Sequence, residues 1–150
     1  MTDPATFASS TARLALPYLF AGQSQKEFTV NEALARLDQL VSPAVLGEAT
    51  SAPASPSPGD CYLVGTSSSG IFSGHEGRIA GWDGQQWTFC DPVEGMRVHD
   101  RSDGSSLFYN GGWVRPVAPD DPTGGATVDT EARDAIVALI AALRSYGVFS

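Results

Sequence analysis

The sequence predicts an α+β protein: an N-terminal helix packs on a small antiparallel β-meander, and a C-terminal oligomerising helix follows. Two aromatic-flanked turns predict the meander, because residues 82–87 contain Asp-Gly and residues 109–113 contain Asn-Gly. These pairs favour tight hairpins, whose turns need positive φ angles. Apolar residues spaced three and four apart, on either side of the meander, predict the two helices.

The first segment, residues 1–23, is predicted to be a docking arm. Its first residues are mostly small and polar, but an apolar run follows that is larger than a free terminus should expose. Pro17 within this run favours an edge strand or a strap across another surface. The residues expected to dock on a neighbouring protein are Leu14, Leu16, Tyr18 and Phe20.

Residues 24–50 are predicted to form a helix and a connection. Ser24 and Glu27 have the spacing of a capping box, in which each side chain accepts a hydrogen bond from the other residue's backbone N–H. Apolar residues then recur at spacings of four, three and four, which predicts a helix from about residue 25 to about residue 40. The face expected to contact the core carries Val30, Leu34, Leu37 and Val41.

Residues 51–117 are predicted to form the antiparallel β domain. A proline-rich linker leads to a first strand at residues 60–64, and the meander follows. The register of the first hairpin stays open at this level. A two-residue loop pairs Trp82 with Gln85, whereas a four-residue loop pairs Trp82 with Trp87.

Residues 118–150 are predicted to form a linker and the C-terminal helix. Thr127 or Asp129 can cap its first turn, and Gly147 ends it. The helix carries a heptad seam of Ile136, Leu139, Leu143 and Tyr146. A helix this short is marginal alone, so it packs on its own domain or on other copies, and the detached linker favours self-association. Mixed Ile and Leu at these positions do not select a dimer and allow three strands.

Composition excludes several classes of function. The formal net charge is -8, which excludes nucleic acid as a partner because phosphate binding needs a basic surface. No apolar run reaches the length of about 18 residues that predicts a membrane span. The first residues lack the features of a secretory signal, so we expect synthesis in the cytoplasm. Cys61 and Cys90 have no metal or redox spacing and are expected to be buried free thiols.

Few residues suit catalysis. His75 and His99 can act as bases or ligands, but no nucleophile elbow, phosphate loop, dinucleotide fingerprint or zinc spacing accompanies them. Acidic residues in β-turns usually serve the turn itself. We therefore predict a protein that is not an enzyme and has no metal or cofactor.

The aromatic turns are a better lead than catalysis, because indole rings stack on the C–H faces of sugars while amides and carboxylates bind hydroxyl groups. The glycan-binding candidates are Trp82, Asp83, Trp87, Tyr109, Asn110 and Trp113. The favoured interpretation of the rings is nevertheless that they form the core, or pair across strands to hold the hairpins together, and sugar binding is the alternative.

Seven short motifs occur in a specific order: LALP at 14–17, GQSQKE at 22–27, NEAL at 31–34, GDCYLVG at 59–65, GHEG at 74–77, WDG at 82–84 and EGMRV at 94–98. Together they resemble an uncharacterised domain family of tailed phages, prophages and gene transfer agents of alphaproteobacteria. The resemblance covers residues 11–114, and residues 129–144 also resemble the C-terminal helix of such phage proteins.

This resemblance implies a virion structural protein, a subunit of a head spike or tail-fibre-like appendage that contributes to host-surface attachment. The partners it implies are other virion proteins, such as capsid, spike or fibre subunits, and host capsular polysaccharide. The location it implies is the virion. It supplies no catalytic residues.

Overall fold

The computed structural model describes residues 10–19 and 26–149. The chain divides into two compact units, Met1–Pro92 and Val93–Ser150, and the predicted β domain contributes residues to both. The first unit contains α1 (Lys26–Leu40), β1 (Ala44–Val45), β2 (Glu48–Ala49), β3 (Cys61–Val64), a 3-10 turn (Gly70–Phe72), β4 (Ile79–Trp82) and β5 (Trp87–Cys90). The second contains β6 (Arg97–Asp100), β7 (Ser105–Tyr109), β8 (Trp113–Val114) and α2 (Thr130–Ser145). These elements confirm the predicted α+β class.

A sheet with the strand order β2-β3-β4-β5 forms the centre of the first unit. Strands β3, β4 and β5 pair in an antiparallel manner. The predicted single meander is divided, because the aromatic turn at residues 82–87 lies in this sheet and the turn at residues 109–113 lies in the other. β2 pairs with β3 in parallel, a feature that its two residues do not signal in the sequence. The buried core residues on one face of this sheet are Val64, Phe72 and Ala80. Half-buried rings pack against them from Tyr62, Trp87 and Phe89.

In the second unit, β7 pairs in an antiparallel manner with both β6 and β8. The carboxylate of Asp100, which is buried, lies 2.5 Å from Nη2 of Arg115, and Arg115 also pairs with Asp103. Burial opposes ionisation of Asp100, but hydrogen bonds from Ser102 and Arg115 outweigh it and lower the pKa of this carboxyl. The cluster therefore ties the turn after β6 to the residue that follows β8.

Helix α1 has the predicted extent, but the prediction of its core face is wrong. Val30, Leu37 and Val41 are exposed, and the buried residues among the side chains of α1 that the structure describes are Asp38 and Gln39. The Gln39 side chain lies so close to β4 that a Cβ on Gly81 would come within 2.4 Å of its Cδ. Its Oε1 also accepts a hydrogen bond from Sγ of Cys90 at 3.1 Å. Polar contacts therefore fix the orientation of this helix. The predicted capping box includes Ser24, which lies outside the described residues.

Asp38 holds the segment that precedes α1. Its carboxylate accepts hydrogen bonds from Oγ1 of Thr11 at 2.7 Å, from N of Arg13 at 2.8 Å and from N of Leu14 at 2.5 Å. The Arg13 guanidinium donates in turn to the carbonyls of Asp38 and Gln39 at the end of the helix. These hydrogen bonds attach the backbone of residues 11–14 to the end of α1. Among the predicted docking residues, Leu14 is exposed, Leu16 and Tyr18 are half-buried, and Phe20 lies outside the described residues.

Helix α2 packs on its own unit through one face. Asp129 caps it by accepting a hydrogen bond from N of Ala132 at 2.9 Å. Ile140 is buried, and the carbonyl of Gly147 accepts a hydrogen bond from N of Ser106 at 2.7 Å. A Cβ at Gly147 would lie 2.8 Å from a backbone oxygen, and the φ angle there is +66°, so only glycine suits this position.

The predicted heptad seam lies beside Ile140, which is four residues after Ile136 and three before Leu143. Leu139 is 59% exposed and Tyr146 is 84% exposed, and Ile136 is exposed as well. Leu143 is half-buried. The seam is therefore largely uncovered in the single chain.

Both cysteines are free and buried, as predicted. Burial raises the pKa of the Cys61 thiol to about 11, and it also raises the pKa of Cys90. The two thiols are therefore protonated at neutral pH and behave as small apolar groups.

Candidate functional site

A groove of about 1060 Å³ follows β5, which is the last strand of its sheet. Helix α1 and the segment before it form one wall. Strand β5 and the turn before it form the other. Most of the side chains that line it are polar, and aromatic rings line it as well. The residues that matter for its chemistry are Glu27, Asn31, Glu32, Arg36, His75, Arg78, Asp83, Gln85, Gln86, Trp87 and Phe89.

The hairpin turn at one end of the groove has the longer of the two loops that the sequence left open. Trp82 pairs with Trp87, so the loop contains four residues. The Oδ1 atom of Asp83 accepts hydrogen bonds from N of Gln85 at 2.7 Å and from N of Gln86 at 2.8 Å. This Asx-type turn fixes the loop backbone and places its polar side chains beside the groove.

Trp87 belongs both to the core and to the groove. Its ring lies edge-on to Phe72 at 5.1 Å and to Tyr62 at 6.2 Å between centroids. It remains half-buried and contributes to the groove lining. Trp82 lies 5.3 Å from Trp87 but lines a separate small cavity beside Tyr18. Of the candidates on this hairpin, the structure therefore brings Asp83 and Trp87 into the groove.

The helical wall is fixed by hydrogen bonds and an ion pair. Oδ1 of Asn31 accepts from N of Leu19 at 2.8 Å, and its Nδ2 donates to the carbonyl of Leu19 at 3.2 Å. One turn further along α1, the Arg36 guanidinium lies 2.6 Å from the carboxylate of Glu32. Both ends of this ion pair are more than half exposed, so it contributes little to stability and more to the surface chemistry of the groove.

His75 lies flat against Phe89, with ring centroids 3.8 Å apart and planes inclined by 7°. Its Nδ1 is 3.1 Å from Nη1 of Arg78. Because a guanidinium only donates hydrogen bonds, Nδ1 is the acceptor in this contact. Nε of Arg78 is also 2.7 Å from the carboxylate of Asp91. His75 thus forms a planar part of the groove wall.

The other candidates lie in the second unit. Tyr109 pairs with Trp113 across the turn between β7 and β8. Their rings are 5.2 Å apart and inclined by 67°. N of Asn110 donates to the carbonyl of Gly112 at 2.9 Å. Both rings are half-buried, which is the arrangement expected of a cross-strand pair that stabilises a hairpin. The six candidates therefore fall into two groups in different units.

Within residues 10–19 and 26–149, no three His, Cys, Asp or Glu side chains are arranged to hold a metal ion. In that part of the chain no helix is long and apolar enough to cross a membrane.

The sequence analysis did not identify the helical wall or His75 as parts of the groove. Asn31 and Asp38 are seven residues apart, so they share one face of α1 with Ala35 between them. Two polar residues are a weak signal, and the stronger apolar periodicity on another face concealed it. Nothing in the sequence indicates that this face lies opposite β5.

A protein-family model described as "Protein of unknown function (DUF2793)" matches residues 30–114. The matched residues include β5 and most of the groove wall that α1 supplies. No curated protein and no solved structure matches the chain.

Proposed function

This chain belongs to the DUF2793 family of proteins of unknown function, and we propose that it is a structural subunit of a virion appendage. The appendage is a head spike or a tail-fibre-like component of a phage-like particle or gene transfer agent. The ordered motifs that resemble phage and gene-transfer-agent proteins support this proposal. Five of the seven motifs lie within the family match at residues 30–114.

The uncovered seam of α2 is the observation that carries the assembly role. Gly147 attaches the end of the helix to its own unit and Ile140 is buried, while Ile136, Leu139 and Tyr146 are exposed. Apolar residues at heptad spacing are the pattern with which helices from several copies pack together. We propose a homotrimer, with a fivefold ring as the alternative.

Contact with other virion proteins is assigned to the segment before α1. Leu14 is 42% exposed, and the hydrogen bond from its N to Asp38 fixes its backbone. An exposed apolar side chain on a fixed backbone loses little conformational entropy when it docks.

Purified particles provide the test of this function. Antibody labelling and quantitative mass spectrometry should find the protein in particles at a constant copy number. Leu14→Asp should lower its occupancy in particles while the free protein keeps its oligomeric state. Absence of the protein from purified particles would exclude the virion role.

Carbohydrate binding is a second candidate function, and the half-buried ring of Trp87 in the groove favours it. The ring has Asp83 and Gln86 beside it, which is the combination of a stacking surface and hydroxyl-binding groups that sugars require. In an appendage this activity would serve attachment to host polysaccharide.

A glycan array tests the second candidate with a pair of matched variants. Trp87→Phe keeps an aromatic ring in the core but reduces the stacking surface, so it should weaken binding by about fivefold. Trp113→Phe makes the same change in the other hairpin and should leave binding unchanged. Equal loss in both variants, or no binding by the folded wild-type protein, would contradict a binding role for the groove.

A further inference from the structure

We propose that the groove takes an oligosaccharide of several uncharged sugar units and discriminates against acidic sugars. This inference rests on the carbohydrate-binding function proposed above and adds the size and charge class of the ligand.

The size follows from the volume and position of the groove. Its volume of about 1060 Å³ reaches the upper end of the range of roughly 300–1,000 Å³ that is typical of small-molecule sites. The groove also follows an edge strand, so its long axis has a linear wall. A single sugar would leave much of this wall uncovered, whereas a short chain of sugars fits along it.

The charge class follows from the ionisable side chains of the lining. Three carboxylates, those of Glu27, Glu32 and Asp83, face two guanidiniums, those of Arg36 and Arg78. Each guanidinium already has an anionic partner, because Arg36 pairs with Glu32 and Arg78 pairs with Asp91. The groove therefore offers an anionic sugar no excess of positive charge, and the lining itself carries a net negative charge.

Hydrogen-bonding chemistry favours the same class. Carboxylates accept hydrogen bonds, and sugar hydroxyl groups donate them. The amides of Gln85 and Gln86 both donate and accept, so they suit the ring oxygens and hydroxyl groups of neutral sugars. Trp87 supplies the surface on which a sugar ring stacks. A uronic acid would add a carboxylate to this site, and its repulsion by the existing carboxylates would oppose binding.

The experiment compares neutral and acidic sugars of the same skeleton. An array is printed with oligosaccharides of hexoses, with the corresponding uronic acids and with the methyl esters of those acids. The full-length wild-type protein should bind neutral members, and it should bind an acid about tenfold more weakly than the matching methyl ester at a Debye length of about 8 Å.

Two charge variants assign this discrimination to the groove. Glu32→Lys changes the charge of the groove, and Asp121→Lys makes the same change in net charge at an exposed residue of the second unit. Glu32→Lys should narrow the tenfold gap between acid and ester to about threefold or less, whereas Asp121→Lys should preserve it.

Three results would overturn the proposal in different ways. Tighter binding of acids than of their esters would show that the charge class is wrong. An identical gap in Glu32→Lys and wild-type protein would show that the sugar binds elsewhere. Binding of neither class would remove the carbohydrate role itself. Occupancy in particles is measured separately, so none of these results decides the virion role.

Discussion

Helices α1 and α2 differ in what attaches each of them to its own unit. Both carry apolar residues at spacings of three and four, and both leave much of that stripe exposed. Among the side chains that the structure describes, the buried residues of α1 are polar, Asp38 and Gln39, whereas that of α2 is Ile140. Apolar periodicity therefore identifies a helix without showing which face it buries. Specific polar partners can orient a helix as firmly as an apolar face does.

The largest effect is expected where the polar attachment of α1 is removed. Asp38→Ala leaves the donors of Thr11, Arg13 and Leu14 without their acceptor, and it should lower the free energy of unfolding by about 4 kcal/mol. Urea unfolding measures this change. Asp38→Asn is the matched control, because it keeps the shape and one acceptor oxygen and should cost about half as much. If Asp38→Ala lowers the free energy of unfolding by less than about 1 kcal/mol, the hydrogen bonds to Asp38 are not what holds α1 in place.

The apolar attachment of α2 should be nearly as important. Ile140→Ala removes three carbons from a buried position and should cost about 3 kcal/mol. Ile136→Ala makes the same chemical change at an exposed position one turn earlier and should cost less than about 1 kcal/mol in the monomer. Thermal unfolding of dilute protein measures both. Similar costs for the two variants would mean that α2 does not bury Ile140 more than Ile136.

The end of α2 provides a smaller test of the same attachment. Gly147→Ala places a Cβ 2.8 Å from the carbonyl oxygen of Gly104 and puts alanine at a positive φ, which together should cost about 2 kcal/mol. Hydrogen exchange at the amide of Ser106 should become faster, because that amide donates to Gly147. Unchanged protection of Ser106 would contradict the role assigned to this contact.

The exposed stripes should affect folding least and assembly most. Leu139→Asp and Leu37→Asp replace side chains that are 59% and 49% exposed, so each should change the stability of the monomer by less than about 1 kcal/mol. Light scattering should show a monomer for Leu139→Asp, because a buried seam would hold an unpaired carboxylate in every copy. Ala141→Asp adds the same charge to the same helix outside the seam and should remain oligomeric.

Leu37→Asp tests whether the exposed stripe of α1 also contributes to assembly. We expect it to remain oligomeric, because assembly is assigned to α2 alone. If Leu37→Asp also dissociates, both stripes contribute to the interface. If Leu139→Asp stays oligomeric, the association surface lies outside the seam.

The sequence by itself determined the elements that depend on local chemistry. Thr127 or Asp129 was predicted to cap α2 and Gly147 to end it, because a cap and a positive φ are properties of a few adjacent residues. The structure selects Asp129 as the cap. The two aromatic turns followed from Asp-Gly and Asn-Gly for the same reason. The buried state of the two thiols was also predictable, since both lie within strand-like runs.

Only the tertiary structure decided which faces and loops are used. The polar face of α1 is buried because Asp38 and Gln39 find partners at Leu14, Cys90 and other residues distant in sequence. The sequence allowed a loop of two or of four residues in the first hairpin, and the structure has the four-residue loop, in which Trp82 pairs with Trp87. The groove depends on α1 and β5, which lie more than 45 residues apart along the chain. Such long-range contacts leave no periodicity in the sequence, so no local pattern specifies them.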